Sequence, residues 1–351
     1  MRNGGRNKGW LIVHYPRKES TMEDVFARQY VKRILMKEKK KLRIAFLGGS
    51  LSKGEMVKSD KCFVSLFEAR IVSALGGEKE ISVLRYGESG TLSANGLFKV
   101  QQLIAEKPDL VFIDYAMNDP GDRYLWETTE GICYQLSKAE IGVVILLFCN
   151  ERGQCTRGAM ERTGAHYHLP VYDIGKKIMS QMEKGTLTWQ QYGQDYVHPT
   201  EYGHELIAEY LLRLFVSTEG IEEMEEITKL PEEPAFAGAF RQTKLLDLTG
   251  RLQDARAGDV VFSQEIETRM ILMEFWQDSV PNHASAVIVL DGKKIATADA
   301  YASMAWGNPV SRYIGGDGRR EKHQLTVFLG KGSPPAGWDY TKLRLRFLFG
   351  V

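Results

Sequence analysis

A hydroxyl, an imidazole and a carboxylate brought into line can hydrolyse esters, and this chain carries those groups where such a line can form. Ser50 stands in RIAFLGGSLSKGE, directly after an apolar run and the pair Gly48-Gly49. Far downstream, GQDYVHPTEYGHELIAEYL places Asp195 and His198 three positions apart, and Pro199-Thr200 then opens an amphipathic stretch. A serine hydroxyl is a poor nucleophile at neutral pH unless a base takes its proton. His198 can be that base through one ring nitrogen if the other donates to Asp195, which sets the tautomer and stabilises the imidazolium. Asp-x-x-His spacing lets a single loop supply both groups. Asn118, in FIDYAMNDPGD, offers an uncharged NH2 donor, and YGESGTLSANG offers a turn around Gly87 and Gly90 whose N–H groups can face a ligand. Singly, each has an ordinary reading: Ser50 as a helix cap, Asn118-Asp119 before Pro120 as a turn, His198 as a structural histidine.

The elements around these residues alternate. LRIAFLG, ISVLRYG, PDLVFIDYA and GVVILLF read as strands, and their continuous Val/Ile/Leu/Phe content suits a parallel sheet covered on both faces. Between and after them, 63–75, 93–107, 128–140 and 202–215 read as helices. Thr21 to Lys40 forms a further helix, capped by Thr21 and Asp24, with Val25, Phe26, Tyr30, Ile34 and Leu35 on one face. In open α/β sheets functional groups gather past the carboxyl ends of the strands. Ser50, the Gly87–Gly90 turn and Asn118 fall at successive strand ends.

This order resembles the SGNH hydrolases, the GDSL esterase/lipase superfamily. FLGGSLSKG is similar to their first block, YGESGTLS to the second, DYAMND to the third and DYVHPTEYGH to the last. Gly49 stands where the family name has aspartate and Ala116 where glycine is usual; branches reading GGS and A-x-N-D carry both changes. The resemblance spans roughly 42–215. It implies a three-layer α/β/α parallel sheet, catalytic Ser50, Asp195 and His198, and an oxyanion hole from the Ser50 and Gly90 N–H groups and the Asn118 amide. No cofactor or metal is implied.

Beyond Leu245 the helical period disappears. VVFSQEIETRMILMEFW, SAVIVLDGKKIATA with its Asp-Gly turn, HQLTVFL and KLRLRFLF read as short strands of a β-sandwich. The expected plan is an N-terminal extension and helix over 1–40, packed on a catalytic domain over 41–217. A linker at 218–243 and a sandwich at 244–351 follow, the latter a candidate carbohydrate-binding domain. YASMAWGNPVSRYIGGDG reads as a long aromatic loop between strands. Its Trp306 and Tyr313, with Trp338 further on, are candidate sugar-binding residues, against a structural reading in which Trp306 plugs the sandwich or the domain interface.

The 351 residues carry a net charge of +1, with 43% hydrophobic and 26% charged residues, which gives no reason to expect nucleic acid or an anionic membrane as partner. The only apolar run near the amino terminus, Trp10 to Val13, is too short for an export signal. Cys62, Cys133, Cys149 and Cys155 lack CxxC spacing and read as reduced thiols in a cytoplasmic protein. His166 and His168 have no HExxH or cysteine companions, which argues against a metal enzyme, and GGSLSKGE lacks the ending of a phosphate-binding loop. Among esterases, an SGNH domain with an appended sandwich resembles the bacterial carbohydrate acetylesterases of family 17, so an acetylated oligosaccharide, from mannan or another hemicellulose, is the expected partner. A small non-carbohydrate ester or thioester, and a degenerate hydrolase kept for binding, are the alternatives.

Overall fold

The computed structural model describes residues 21–37, 40–217, 230–280, 284–330 and 339–351. Its first part runs α1 (Met22–Met36), β1 (Lys41–Gly48), α2 (Ser50–Lys53), α3 (Phe63–Leu75), β2 (Glu80–Gly87), α4 (Ser93–Ala105), β3 (Leu110–Asp114) and α5 (Arg123–Lys138). It continues with β4 (Gly142–Leu147), α6 (Gly158–Tyr167), β5 (Val171–Asp173), α7 (Ile174–Glu183), α8 (Trp189–Tyr192) and α9 (Glu201–Val216). The strands form a parallel sheet in the order β2-β1-β3-β4-β5. Alternate residues go to opposite faces. Ile44, Phe46, Leu110, Phe112, Val144 and Leu146 pack against α1, α3 and α9, while Ala45, Leu47, Val111, Ile113, Val143 and Ile145 pack against α4, α5 and α6. The strand order reverses between β1 and β3, where such sheets open a crevice at their carboxyl edge.

Local chemistry explains most of these elements, and some depart from expectation. Thr21 and Asp24 form a reciprocal capping box, each side chain accepting from the other's N–H at 3.2 Å. The buried stripe of α1, however, is Asp24, Ala27, Arg28, Val31 and Ile34, and Phe26 is exposed. A charge can sit in that stripe because Lys177 pairs with Asp24. The helix stops at Met36, short of Lys40. Helix α5 begins at Arg123 rather than 128, burying Leu125 in its first turn. Between 150 and 200 sequence periodicity marked no element, yet α6, β5, α7 and α8 form there; a three-residue strand is too short to show alternation.

The second part is a pair of packed antiparallel sheets. Its strands are β6 (Thr243–Asp247), β7 (Val260–Thr268), β8 (Ile271–Asp278), β9 (Ser285–Leu290), β10 (Lys293–Asp299), β11 (Trp306–Gly315), β12 (Glu321–Gly330) and β13 (Arg346–Gly350). They pair as β10-β9-β12-β7 and β11-β8-β13-β6. Asp291 and Gly292 turn the β9–β10 hairpin with φ of 51° and 76°, as an Asp-Gly hairpin requires. Ile271, Met273, Phe275, Phe347 and Phe349 fill the sandwich, whereas Leu272 and Leu348 join the core of the α/β domain. The middle strands β8 and β13 are therefore buried on both faces, with the outer face against the first domain.

Two expectations change here. The stretch 301–318 is not a long loop: Trp306–Gly315 is strand β11, on the edge of its sheet. Pro309 and the glycines look like strand breakers, but an edge strand tolerates proline, and the register shifts at Trp306/Asn308 and Tyr313/Gly315 absorb the glycines. The described part of the expected linker, 230–242, is packed rather than free. Ala235, Ala239 and Phe240 are buried, and Gly131 on α5 admits them, since a Cβ there would meet Phe240 Cβ at 2.7 Å. Glu130 accepts the N–H groups of Ala235 and Phe236 at 2.7 and 3.1 Å, and Glu127 those of Ala237 and Ala239 at 2.8 and 2.9 Å. Among the described residues no helix is long and apolar enough to cross a membrane.

Glu130→Leu removes an acceptor from two backbone donors and from the Tyr167 hydroxyl. Each orphaned buried donor costs about 1–3 kcal/mol. Urea unfolding should show a loss of that order, clearly larger than for Glu130→Gln, which keeps one acceptor; equal losses would contradict the carboxylate's role.

Candidate active site

Strand β1 ends by handing Gly49 N–H to the carbonyl of Asp114 at 3.0 Å, and the chain turns at once into α2 with Ser50 first. The turn presses on the end of β2: a Cβ on Gly87 would lie 2.5 Å from Lys53 N, so this position needs glycine. Asp114, buried at the end of β3, anchors the turn from beneath by accepting the Ser52 hydroxyl at 3.0 Å and its N–H. Burial pushes the Asp114 carboxyl up to about 7 despite those bonds.

The opposite wall is the loop between α8 and α9. It is pinched by the Gly193–Pro199 bridge, by Thr200 N–H on Tyr192 O at 2.7 Å, and by the Trp189 indole on Asp195 O at 2.8 Å. Thr200 then caps α9. Asp195 Oδ1 takes the N–H groups of Val197 and His198 at 2.7 and 2.6 Å, and Oδ2 pairs with His198 Nδ1 at 2.7 Å. His198 Nε2 lies 3.0 Å from Ser50 Oγ. Burial raises the Asp195 carboxyl, but the bonds from His198 and Val197 outweigh it and hold it below the usual range. With Nδ1–H held by Asp195, Nε2 is left to accept the serine proton. The block's other histidine, His204, is buried, stacks on Phe63 and accepts Phe63 N–H through Nδ1; burial lowers it to about 4, so it stays neutral.

Candidate donors line the same cleft as Ser50 Oγ. Ser50 N–H belongs to the first turn of α2, outside the intrahelical bonds. Gly90, with φ of 67°, lies in the turn after β2 and lines the same cleft. Asn118 sits over Gly49 and donates one amide hydrogen to Thr91 O at 2.9 Å, leaving a second hydrogen on the same nitrogen. Beside it, Asp119 accepts Ser93 N–H at 2.8 Å; burial pushes this carboxyl up to about 7.

Ser50, His198, Gly90 and Asn118 open into a cleft of about 1150 Å³ that runs between the two domains. Trp306, 75% exposed, lines it beside Gly90 and does not plug the sandwich. Tyr313 is elsewhere: it shares the face of β11 that carries Pro309 and Ser311, but it lies further along the strand, beyond the cleft, where it stacks on Tyr124 of α5 at 5.7 Å. Trp338 lies outside the described residues. Lining residues that sequence reading passed over include Glu55, Asn308, Trp276 and Arg344. Hydrogen bonds from Ser89 and Lys53 hold Glu55 below its ordinary range. Arg344 stacks on Trp276 at 4.5 Å. No sequence spacing announces these, since each depends on sheet packing. His166 instead contacts Glu233 O at 2.8 Å.

No protein-family model matches the sequence, and no curated protein does. Solved structures match its fold. One is a two-domain esterase (CEX) active on acetylated mannans, with a TM-score of 0.74 and 21% identity over 91% of this chain and 94% of that one. The other is such an esterase co-crystallised with mannopentaose, with a TM-score of 0.74 and 20% identity over the same shares. The chain thus shares the fold of that two-domain esterase, a parallel α/β layer followed by antiparallel sheets. At this identity the likeness is one of fold.

Because the bonds from His198 and Val197 hold Asp195 below the usual carboxylate range, a single proton should govern the acid limb of kcat/KM at mildly acid pH. The limb should fall tenfold per pH unit, and a limb of slope two would show Asp195 titrating with it. Asp114 makes a separate prediction. Its folded value is raised, so the folded state must give up a proton it favours as pH rises, and stability is lost up to about pH 7. Asp114→Asn should therefore gain stability relative to wild type between about pH 5 and about pH 8 in parallel thermal melts. A constant difference overturns the assignment.

Proposed function

We propose that this protein is a carboxylic-ester hydrolase that removes O-acetyl groups from oligosaccharides through an acyl-enzyme on Ser50. The observation that carries the proposal is the unbroken line from Asp195 Oδ2 to His198 at 2.7 Å and from His198 Nε2 to Ser50 Oγ at 3.0 Å. Ser50 Oγ attacks the acetyl carbon as its proton passes to His198 Nε2. The developing oxyanion takes hydrogen bonds from the Ser50 and Gly90 N–H groups and Asn118 Nδ2; one such donor is typically worth about 10²–10³ in rate. Collapse releases the sugar hydroxyl with the proton from His198, and water then repeats the sequence on the acyl-enzyme.

The sugar reading rests on the cleft. It is long enough to hold more than an acetyl group, it mixes charged and amide side chains with indole rings, and Trp306 presents an exposed flat face next to the reacting centre. The shared fold with an esterase active on acetylated mannans favours acetylated mannan fragments.

A serine-directed phosphonate should add one adduct, on the peptide carrying Ser50, and Ser50→Ala should abolish turnover of p-nitrophenyl acetate. Labelling elsewhere, or undiminished activity, sinks the proposal. Acetylated manno-, xylo- and cello-oligosaccharides compared side by side identify the glycan, and activity confined to small esters or thioesters would remove the carbohydrate part. Trp306→Ala should raise KM for the preferred oligosaccharide about tenfold with an unchanged melting temperature, since the ring is exposed.

A further inference from the structure

The segment that carries Gly90 is held from two sides, and one of them is the β domain. On the α/β side, Asp119 accepts Ser93 N–H at 2.8 Å, and Asn118 donates to Thr91 O at 2.9 Å. On the other, Asn95 Oδ1 accepts Leu92 N–H at 3.0 Å and the Ser311 hydroxyl of β11 at 2.9 Å. Asn95 Nδ2 in turn donates to Glu274 Oε2 of β8 at 2.8 Å, with Pro309 O further off at 3.5 Å. The second Glu274 oxygen is paired with Arg346 of β13. Asn95 is 1% exposed and Glu274, which borders the cleft, 2%, so the pair is buried in the seam between the domains.

Two apolar side chains would cover the same area without desolvating a carboxylate. What the polar pair adds is direction: an amide with both ends engaged holds Leu92 in one place. Leu92 follows Thr91, on which Asn118 leans, and stands two residues from Gly90. We propose that Asn95 and Glu274 are positioning residues through which the β domain holds the oxyanion donors in register, so that this domain serves the chemical step as well as the sugar. The inference rests on the ester-hydrolase reading. A misplacement of about 1 Å in such a site can cost about a hundredfold in rate.

The test exchanges donor and acceptor. Asn95→Asp sets a carboxylate against Glu274, and Glu274→Gln takes the negative charge from the site that accepts Asn95 Nδ2. Each single variant should lower kcat on p-nitrophenyl acetate about tenfold or more, with KM nearly unchanged, at temperatures well below its melting point. In the double variant the glutamine oxygen can accept from Arg346 while its NH2 donates to Asp at 95, and kcat should recover to within about threefold of wild type. Singles that keep kcat within twofold while only the melting temperature falls would make the pair purely structural and overturn the proposal. So would a double variant no better than the worse single. If Asn95→Asp does not fold, Ser311→Ala decides in its place: loss of kcat without loss of KM supports the proposal, and unchanged kcat overturns it. Wild type that hydrolyses no ester at all removes the underlying reading instead, an outcome separable from every variant result.

Discussion

The 3.0 Å contact between His198 Nε2 and Ser50 Oγ joins residues 148 positions apart, and much of the first domain serves to keep that distance. One end is set by the parallel sheet. Gly49 N–H is fixed on β3, Ser52 on Asp114, and Gly87 lets the turn settle against β2. The other end is set by a loop whose closure is local, through the Gly193–Pro199 bridge and the Thr200 cap of α9. Neither end could drift by half an ångström without breaking the hydrogen bond. Tight packing beneath both, rather than the bond's own strength, therefore holds the line together.

The same constraint explains why carboxylates are buried beneath the site. Asp114 and Asp119 each stand at or just past the end of β3, each accepts bonds from a neighbouring segment, and each is raised to about 7 by burial. One holds the serine's turn, the other the segment after β2. A buried carboxylate is costly, but two lone-pair-rich oxygens can grip a backbone N–H and a hydroxyl at once, which an apolar side chain cannot. Glu127 and Glu130 repeat the device on α5, where they hold 235–239 and so fix how the chain enters the β domain.

The second domain does more than follow the first. Its middle strands β8 and β13 are buried on both sides, and along β8 the two faces do different work. Ile271, Met273 and Phe275 fill the sandwich, while Leu272 and Glu274 meet the first domain. This two-faced burial produces the MILMEFW run, in which the glutamate looks out of place until the seam is seen. The cleft lies along that seam, with Ser50 on one wall and Trp306 on the other.

The α/β layer was legible from sequence because its strands alternate between two apolar faces and its glycines and polar residues cluster where strands end. Ser50, Gly90 and Asn118 stand out as candidates for that reason, and Asp195 with His198 because three-residue spacing lets one loop supply both groups. Residues that matter through packing left no such mark. Trp306 reads as part of a loop because its stretch is rich in glycine and too long for a tight hairpin, and the edge position of β11 is what lets a strand holding Pro309 form there. Phe26 looked like core, yet the direction of α1 against α9 buries Ala27 and Arg28 instead. Asn95 and Glu274, 179 positions apart, carry no shared spacing or period. Periodicity and turn chemistry act over a few residues, so the sequence by itself determined most of the elements and the loop that pairs Asp195 with His198. Which surfaces meet is decided by the packing of whole sheets, and the cleft, its aromatic wall and the polar seam exist only there.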